Sequence, residues 1–121
     1  MSDYSSFTKF EHVMVHRYRD RLNHAASVDD VRQCFAQSAR DLLGQVTGDT
    51  VAVADEDIAL APDLPQGYEL APRLIADQAL ARIWSASDLP TILGRMAESA
   101  AHRYRHLDKR RYQSDGRDVR R

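Results

Sequence analysis

Four stretches of this chain place apolar residues at helical spacing, and that repetition restricts the fold more than any other feature. In residues 6–26, Phe7, Phe10, Met14, Tyr18, Leu22 and Ala25 fall within about one third of the helical circle. Residues 28–46 repeat the pattern with Val28, Val31, Phe35, Ala39, Leu42 and Val46. In residues 72–85, Ile75, Ala76, Ala79, Leu80, Ile83 and Trp84 cover about half the circle, wider than one surface stripe requires. Residues 88–112 carry Leu89, Leu93, Met96, Ala100, Tyr104 and Leu107.

Capping residues stand where these stripes begin and end. Ser5 or Ser6 suits the first start, and Ser27 with Asp30 three residues on suits the second. Pro72 and Pro90 fit first turns, with Ser87 as a cap before the last helix, and Thr47-Gly48-Asp49 closes the second. The expectation is a mainly-α, bundle-like arrangement of about four helices. Short links make antiparallel hairpins of the first two helices and of the last two. The connection over residues 49–71 is long for a bundle. It holds either a small hairpin, Thr50–Val53 against Ile58–Leu60, or an extended, partly ordered loop punctuated by Pro62, Pro65 and Gly67. Residues 1–113 read as a single helical domain and residues 114–121 as a flexible basic tail.

At 121 residues the chain buries a core without staples, and its one cysteine, Cys34, excludes an internal disulfide or a multi-cysteine zinc site. Cys34 sits at the edge of its helix's apolar face and reads as a structural thiol. No apolar run reaches membrane-spanning length, and Met1–Ser6 carries no basic-then-apolar leader, so the expected setting is cytoplasmic.

The net charge of −1 conceals segregation: residues 1–48 balance, residues 49–88 carry −6 and residues 89–121 carry +5. The acidic middle and basic end either face each other, within a chain or across a dimer, or the basic end meets phosphates. Asp55-Glu56-Asp57 fails the calcium-loop template, because Ala59 and Leu60 stand where a ligand and a glycine are needed.

All five histidines lie in two rows of four-residue spacing: His12, His16 and His24 with Asp20, then Glu98, His102 and His106. Such pairs can bind a divalent metal, and His12, His16, His102 and His106 are the candidate ligands. Both rows lie opposite the expected core, which favours a solvated polar face. The tetrapeptide His-Arg-Tyr-Arg occurs at residues 16–19 and again at 102–105. Each Tyr falls on the apolar side with its hydroxyl expected to reach water, and Arg stems cover apolar surface. Side by side, the two edges would make a basic, partly aromatic surface. Arg17, Arg19, Arg21, Arg103, Arg105, Lys109, Arg110 and Arg111 are its candidate nucleic-acid contacts. No Gly-rich phosphate loop, nucleophile elbow or His-Glu-x-x-His is present.

The composite expectation is a small soluble interaction or accessory protein with neither catalytic activity nor a cofactor. It self-associates or binds another protein, without a membrane, through Ile75, Leu80, Ile83 and Trp84. Nucleic-acid binding is the alternative, and metal binding by the histidine rows a further one. In a symmetric homodimer the acidic residues 49–69 of one chain would meet the basic residues 103–111 of the other. Charge reversal at Arg110 and Arg111 then weakens the dimer, and an unchanged mass by light scattering refutes that pairing.

Overall fold

Helix α2 (Val28–Thr47) begins where Ser27 accepts a hydrogen bond from the Asp30 amide at 3.1 Å. Asp30 in turn accepts from the amide of Ala26 at 3.0 Å, one residue earlier than a capping box would use. The helix ends at Gly48 in the left-handed conformation. Between these caps Val31, Phe35, Ala39, Leu42 and Leu43 have no exposure, and this face is the floor of the core. The computed structural model describes the backbone of residues 6–120 and the side chains of residues 6–109.

Helix α1 (Thr8–His24) packs antiparallel to α2 across the three residues that join them. Phe7 holds the N-cap position without a side-chain cap, the Ser6 hydroxyl accepts from the Thr8 amide only at 3.5 Å, and Ser5 lies outside the described residues. The Asp88 carboxylate, far along the chain, accepts from the Phe7 amide at 2.7 Å and from the Ser6 hydroxyl at 2.8 Å. Asp88 immediately precedes α5 (Leu89–Arg120), so the first and last helices start together. The α1–α5 contacts then advance in step: Glu11 with Arg95, Tyr18 with Met96, Asn23 with Arg103. The two helices therefore run parallel. Helix α5 continues past residue 113 into the segment read as a tail, and side chains from Arg110 onward lie outside the described residues.

The long connection does hold a hairpin, with one strand as expected and a different partner. Strand β1 (Ile58–Leu60) pairs antiparallel with β2 (Tyr68–Leu70), Ile58 opposite Leu70 and Leu60 opposite Tyr68. Residues Thr50–Val53 form no strand; they lead to a short 3-10 turn at Asp55–Asp57. Ile58, Leu60 and Tyr68 point inward against α2 and α5, while Ala59 and Glu69 face out. Gly67 closes the hairpin with φ +85°, and a Cβ there would lie 3.0 Å from the Ala97 Cβ on α5. Only glycine combines that backbone with so close an approach.

The third predicted helix is broken in two. Helix α3 (Pro72–Ile75) stops, and α4 (Gln78–Ser85) restarts because Asp77 becomes an N-cap, its carboxylate accepting from the Leu80 amide at 3.0 Å. The break resets the helical phase. Leu74, outside the expected apolar arc, is buried, and Ile75, inside it, is 65% exposed.

Asp57 fastens this region to the rest. Its carboxylate accepts from the Ala54 amide at 2.8 Å and from Arg73 Nε at 3.2 Å, with Arg73 Nη2 on the same group. That Nη2 also reaches the Ala52 carbonyl at 2.9 Å. The Ala54 amide first, then Arg73, hold the Asp57 carboxyl below the usual carboxylate range against an opposing push from burial. The folded-state value lies below the unfolded one. This stabilisation is therefore complete above the unfolded value and fades as pH falls through the folded value. Asp57→Asn is expected to cost about 2 kcal/mol at neutral pH. In urea unfolding it should lose less further stability than the parent between about pH 4 and pH 2. Parallel acid profiles would refute the assignment.

Candidate functional site

The parallel α1–α5 pair brings the two His-Arg-Tyr-Arg segments onto neighbouring helices, but both tyrosines are used inside the fold. Tyr18 is 3% exposed, and its hydroxyl donates to the Met96 carbonyl at 2.7 Å instead of reaching water. Burial pushes its phenol well above the ordinary value; the neighbouring Cys34 pushes the same way and Arg21 opposes. Tyr104 is half-buried, its ring covered by the Arg32 guanidinium 5.3 Å from the centroid, with Arg32 Nη2 donating to its hydroxyl at 3.1 Å. The tyrosines of the two segments are therefore engaged within the fold, and Tyr112, the further aromatic of the expected surface, lies outside the described side chains.

Half of the described basic candidates also hold the chain together. Arg21 donates to Gln37 at 2.6 Å and Ser38 at 3.4 Å across the α1–α2 seam. Arg103 Nη2 donates to the carbonyls of Asn23 at 3.2 Å and Ala25 at 2.8 Å, closing the C-terminal end of α1. Arg105 donates to the Pro62 carbonyl at 3.1 Å in the hairpin loop. Arg17, Arg19 and Lys109 are exposed, and Arg110 and Arg111 lie outside the described side chains.

Between α1 and α5 runs an open groove of about 570 Å³. Arg19 and Asn23 line it from α1, and Glu98, Ser99, His102, Arg103 and His106 from α5. Asn23 and Ser99 escaped the sequence pattern, because only the parallel pairing brings them beside the histidine row. His12, His16, His24, His102 and His106 are all exposed. Among the described residues no three His, Cys, Asp or Glu side chains come together to hold a metal ion, so the histidine rows do not converge on a centre within the chain.

A second depression lies on the other side, where β2 meets the α3–α4 corner. Leu70, Leu74, Ile75, Leu80, Ala81 and Trp84 enclose about 150 Å³. Three of the four expected interface residues meet here. Ile75 stands exposed on its rim, Trp84 is half-buried and Leu80, 2% exposed, belongs to the chain's own core. Ile83 packs half-buried against the core. Leu70 and Leu74 were missed. Leu70 could have been read from its alternation with Tyr68, whereas Leu74 depended on the helix break. Trp84 stacks edge-on against Tyr68, 6.2 Å between centroids, and Tyr68 leans on Phe35 at 6.5 Å, which ties the groove wall to α2.

Cys34 is buried on α2, and burial pushes its thiol up despite Arg21 and a hydrogen bond with Ser38. The acidic cluster is likewise occupied, with Asp55 paired to Arg40 at 2.6 Å and Asp57 to Arg73. No family model, curated protein or solved structure significantly matches the chain. Tyr18→Phe is expected to cost about 1 kcal/mol through loss of the buried hydrogen bond, read by denaturant unfolding. An unchanged midpoint would mean that the hydroxyl contributes nothing to the fold.

Proposed function

We propose that this chain is a non-catalytic interaction module that self-associates through the groove at the α3–α4 corner. The observation that carries the reading is the pairing of a projecting apolar side chain with an apolar slot. Ile75, 65% exposed, stands on the rim of a depression that it lines together with Leu70, Leu74, Leu80, Ala81 and Trp84. A slot of about 150 Å³ matches a cavity able to take a benzene-sized group. Under twofold symmetry the Ile75 of each copy enters the slot of the other, since a symmetric contact needs one self-complementary patch. The same elements carry Glu69, Asp77, Arg73 and Arg82, two charges of each sign, so facing copies need not oppose like charges.

The charged pairs hold the fold together. Glu11 takes both Arg95 Nε and Nη2, at 2.9 and 2.7 Å, which raises the Arg95 pKa further. Asp57 takes Arg73. Both pairs join separate elements. Arg105 of the basic end also reaches the hairpin loop, at the Pro62 carbonyl.

A stable interface buries roughly 800 Å² per partner, so the slot serves as the centre of a larger contact in a concentration-dependent dimer. Light scattering from micromolar to millimolar protein should show the mass rising toward twice the monomer. Ile75→Asp should hold it at the monomer without lowering the unfolding midpoint, because that side chain is exposed. A parent chain that stays monomeric throughout overturns self-association.

A further inference from the structure

We propose that the α1–α5 groove is a phosphate-binding site, separate from the apolar corner. Its walls are rich in donors and poor in acceptors. Arg19 and Arg103 supply two guanidiniums, and Asn23, Ser99, His102 and His106 add amide, hydroxyl and imidazole groups. Glu98 is the single carboxylate in the lining. An anion with several acceptor oxygens around one centre suits such a wall, and guanidinium recognises phosphate through paired N–H groups.

The fold sets part of this arrangement in advance. Arg103 is held across the groove by the two carbonyls at the end of α1, so its guanidinium is ordered before any ligand arrives. Nη2 is committed to those carbonyls and Nε is sealed from solvent, so Nη1 is the nitrogen these contacts leave to a ligand. Arg19 faces it from α1, exposed, four residues from Asn23 and so on the same helical face. The volume of about 570 Å³ falls within the range of small-ligand clefts, about 300–1,000 Å³, and its lining mixes the polar groups with apolar surface that includes Leu22. The polar groups favour a charged, hydrated ligand.

The ligand's recognised part is its phosphate and not an attached base. Tyr18 is buried and Tyr104 is covered by Arg32, so neither ring is free to stack. Two sources supply the same chemistry: a small phosphorylated molecule, or the backbone of a nucleic acid strand.

Titration calorimetry with pyrophosphate, beside fluorescence anisotropy with a single-stranded oligonucleotide, tests the site. Saturable pyrophosphate binding that weakens with salt is expected. Arg19→Ala should weaken it about fivefold and Glu98→Gln should strengthen it by a similar factor. Both positions are exposed, so the variants should fold like the parent. Opposite effects from opposite charges are not what a loss of structure would produce. If the oligonucleotide binds more tightly and pyrophosphate displaces it, the phosphate belongs to a nucleic acid strand. If pyrophosphate binds as well as the oligonucleotide, the ligand is a small phosphorylated molecule. Absence of saturable binding by both probes, or binding indifferent to Arg19→Ala and Glu98→Gln, overturns the site. Neither result bears on the mass of the Ile75→Asp variant, so this proposal and self-association fail independently.

Discussion

Every other element depends on the buried face of α2. Val31, Phe35, Ala39, Leu42 and Leu43 are sealed from solvent, and α1, α5, the hairpin, the 3-10 turn and α4 all contact this helix. A chain of this length has little apolar surface to spare. A helix contacted by so many elements lets one stripe serve several packing surfaces at once. Phe35 shows the arrangement: it supports Tyr68, which supports Trp84, so the outer corner is braced through two aromatic rings against the centre. Truncating Phe35 would loosen the core and the groove together, at a cost of about 3–5 kcal/mol.

Around that apolar centre, long-range polar ties are made mostly by arginine. Arg95 joins α5 to α1, Arg103 closes the end of α1, Arg105 reaches the hairpin loop, Arg73 clamps the turn and Arg32 covers Tyr104. A planar guanidinium can hold two acceptors while its stem covers apolar surface, which lysine does less well. This gives a structural use for much of a basic composition in which only Lys9 and Lys109 are lysine. The acidic middle is paired from elsewhere, Asp55 by Arg40 and Asp57 by Arg73, while the basic end reaches it through Arg105 on the Pro62 carbonyl.

What the sequence made legible follows the range of the forces involved. The helical stripes of residues 6–26 and 28–46, the Ser27 cap and the strand at Ile58–Leu60 depend on neighbours a few residues away, and all appear in the structure. The fate of Leu74 and Ile75 did not follow from periodicity, because Asp77 acts as a cap and interrupts the helix. Asp is ordinary within a helix and favourable at its start, and only packing decides between these uses. The partner of β1 was misread for a related reason. Val51–Val53 and Tyr68–Leu70 alternate in burial in the same way, so the local pattern does not choose between them. At the apolar groove Ile75, Leu80 and Trp84 were legible, while Leu70 and Leu74 were not. The polar groove was legible only as separate rows, because no local pattern encodes that α1 and α5 lie parallel.

The carboxylate of Asp88 on the Phe7 amide has a consequence for synthesis on the ribosome. Chains emerge from the N-terminus, so α1 is made early and α5 last. The first turn of α1 lacks its capping partner until some eighty residues more have been added, and it borders a helix, α5, that does not yet exist. During that interval α1 and α2 can pair as a hairpin, but the start of α1 stays unfastened. Translation itself thus orders the assembly, and the first turn of α1 is made well before it can reach its final place.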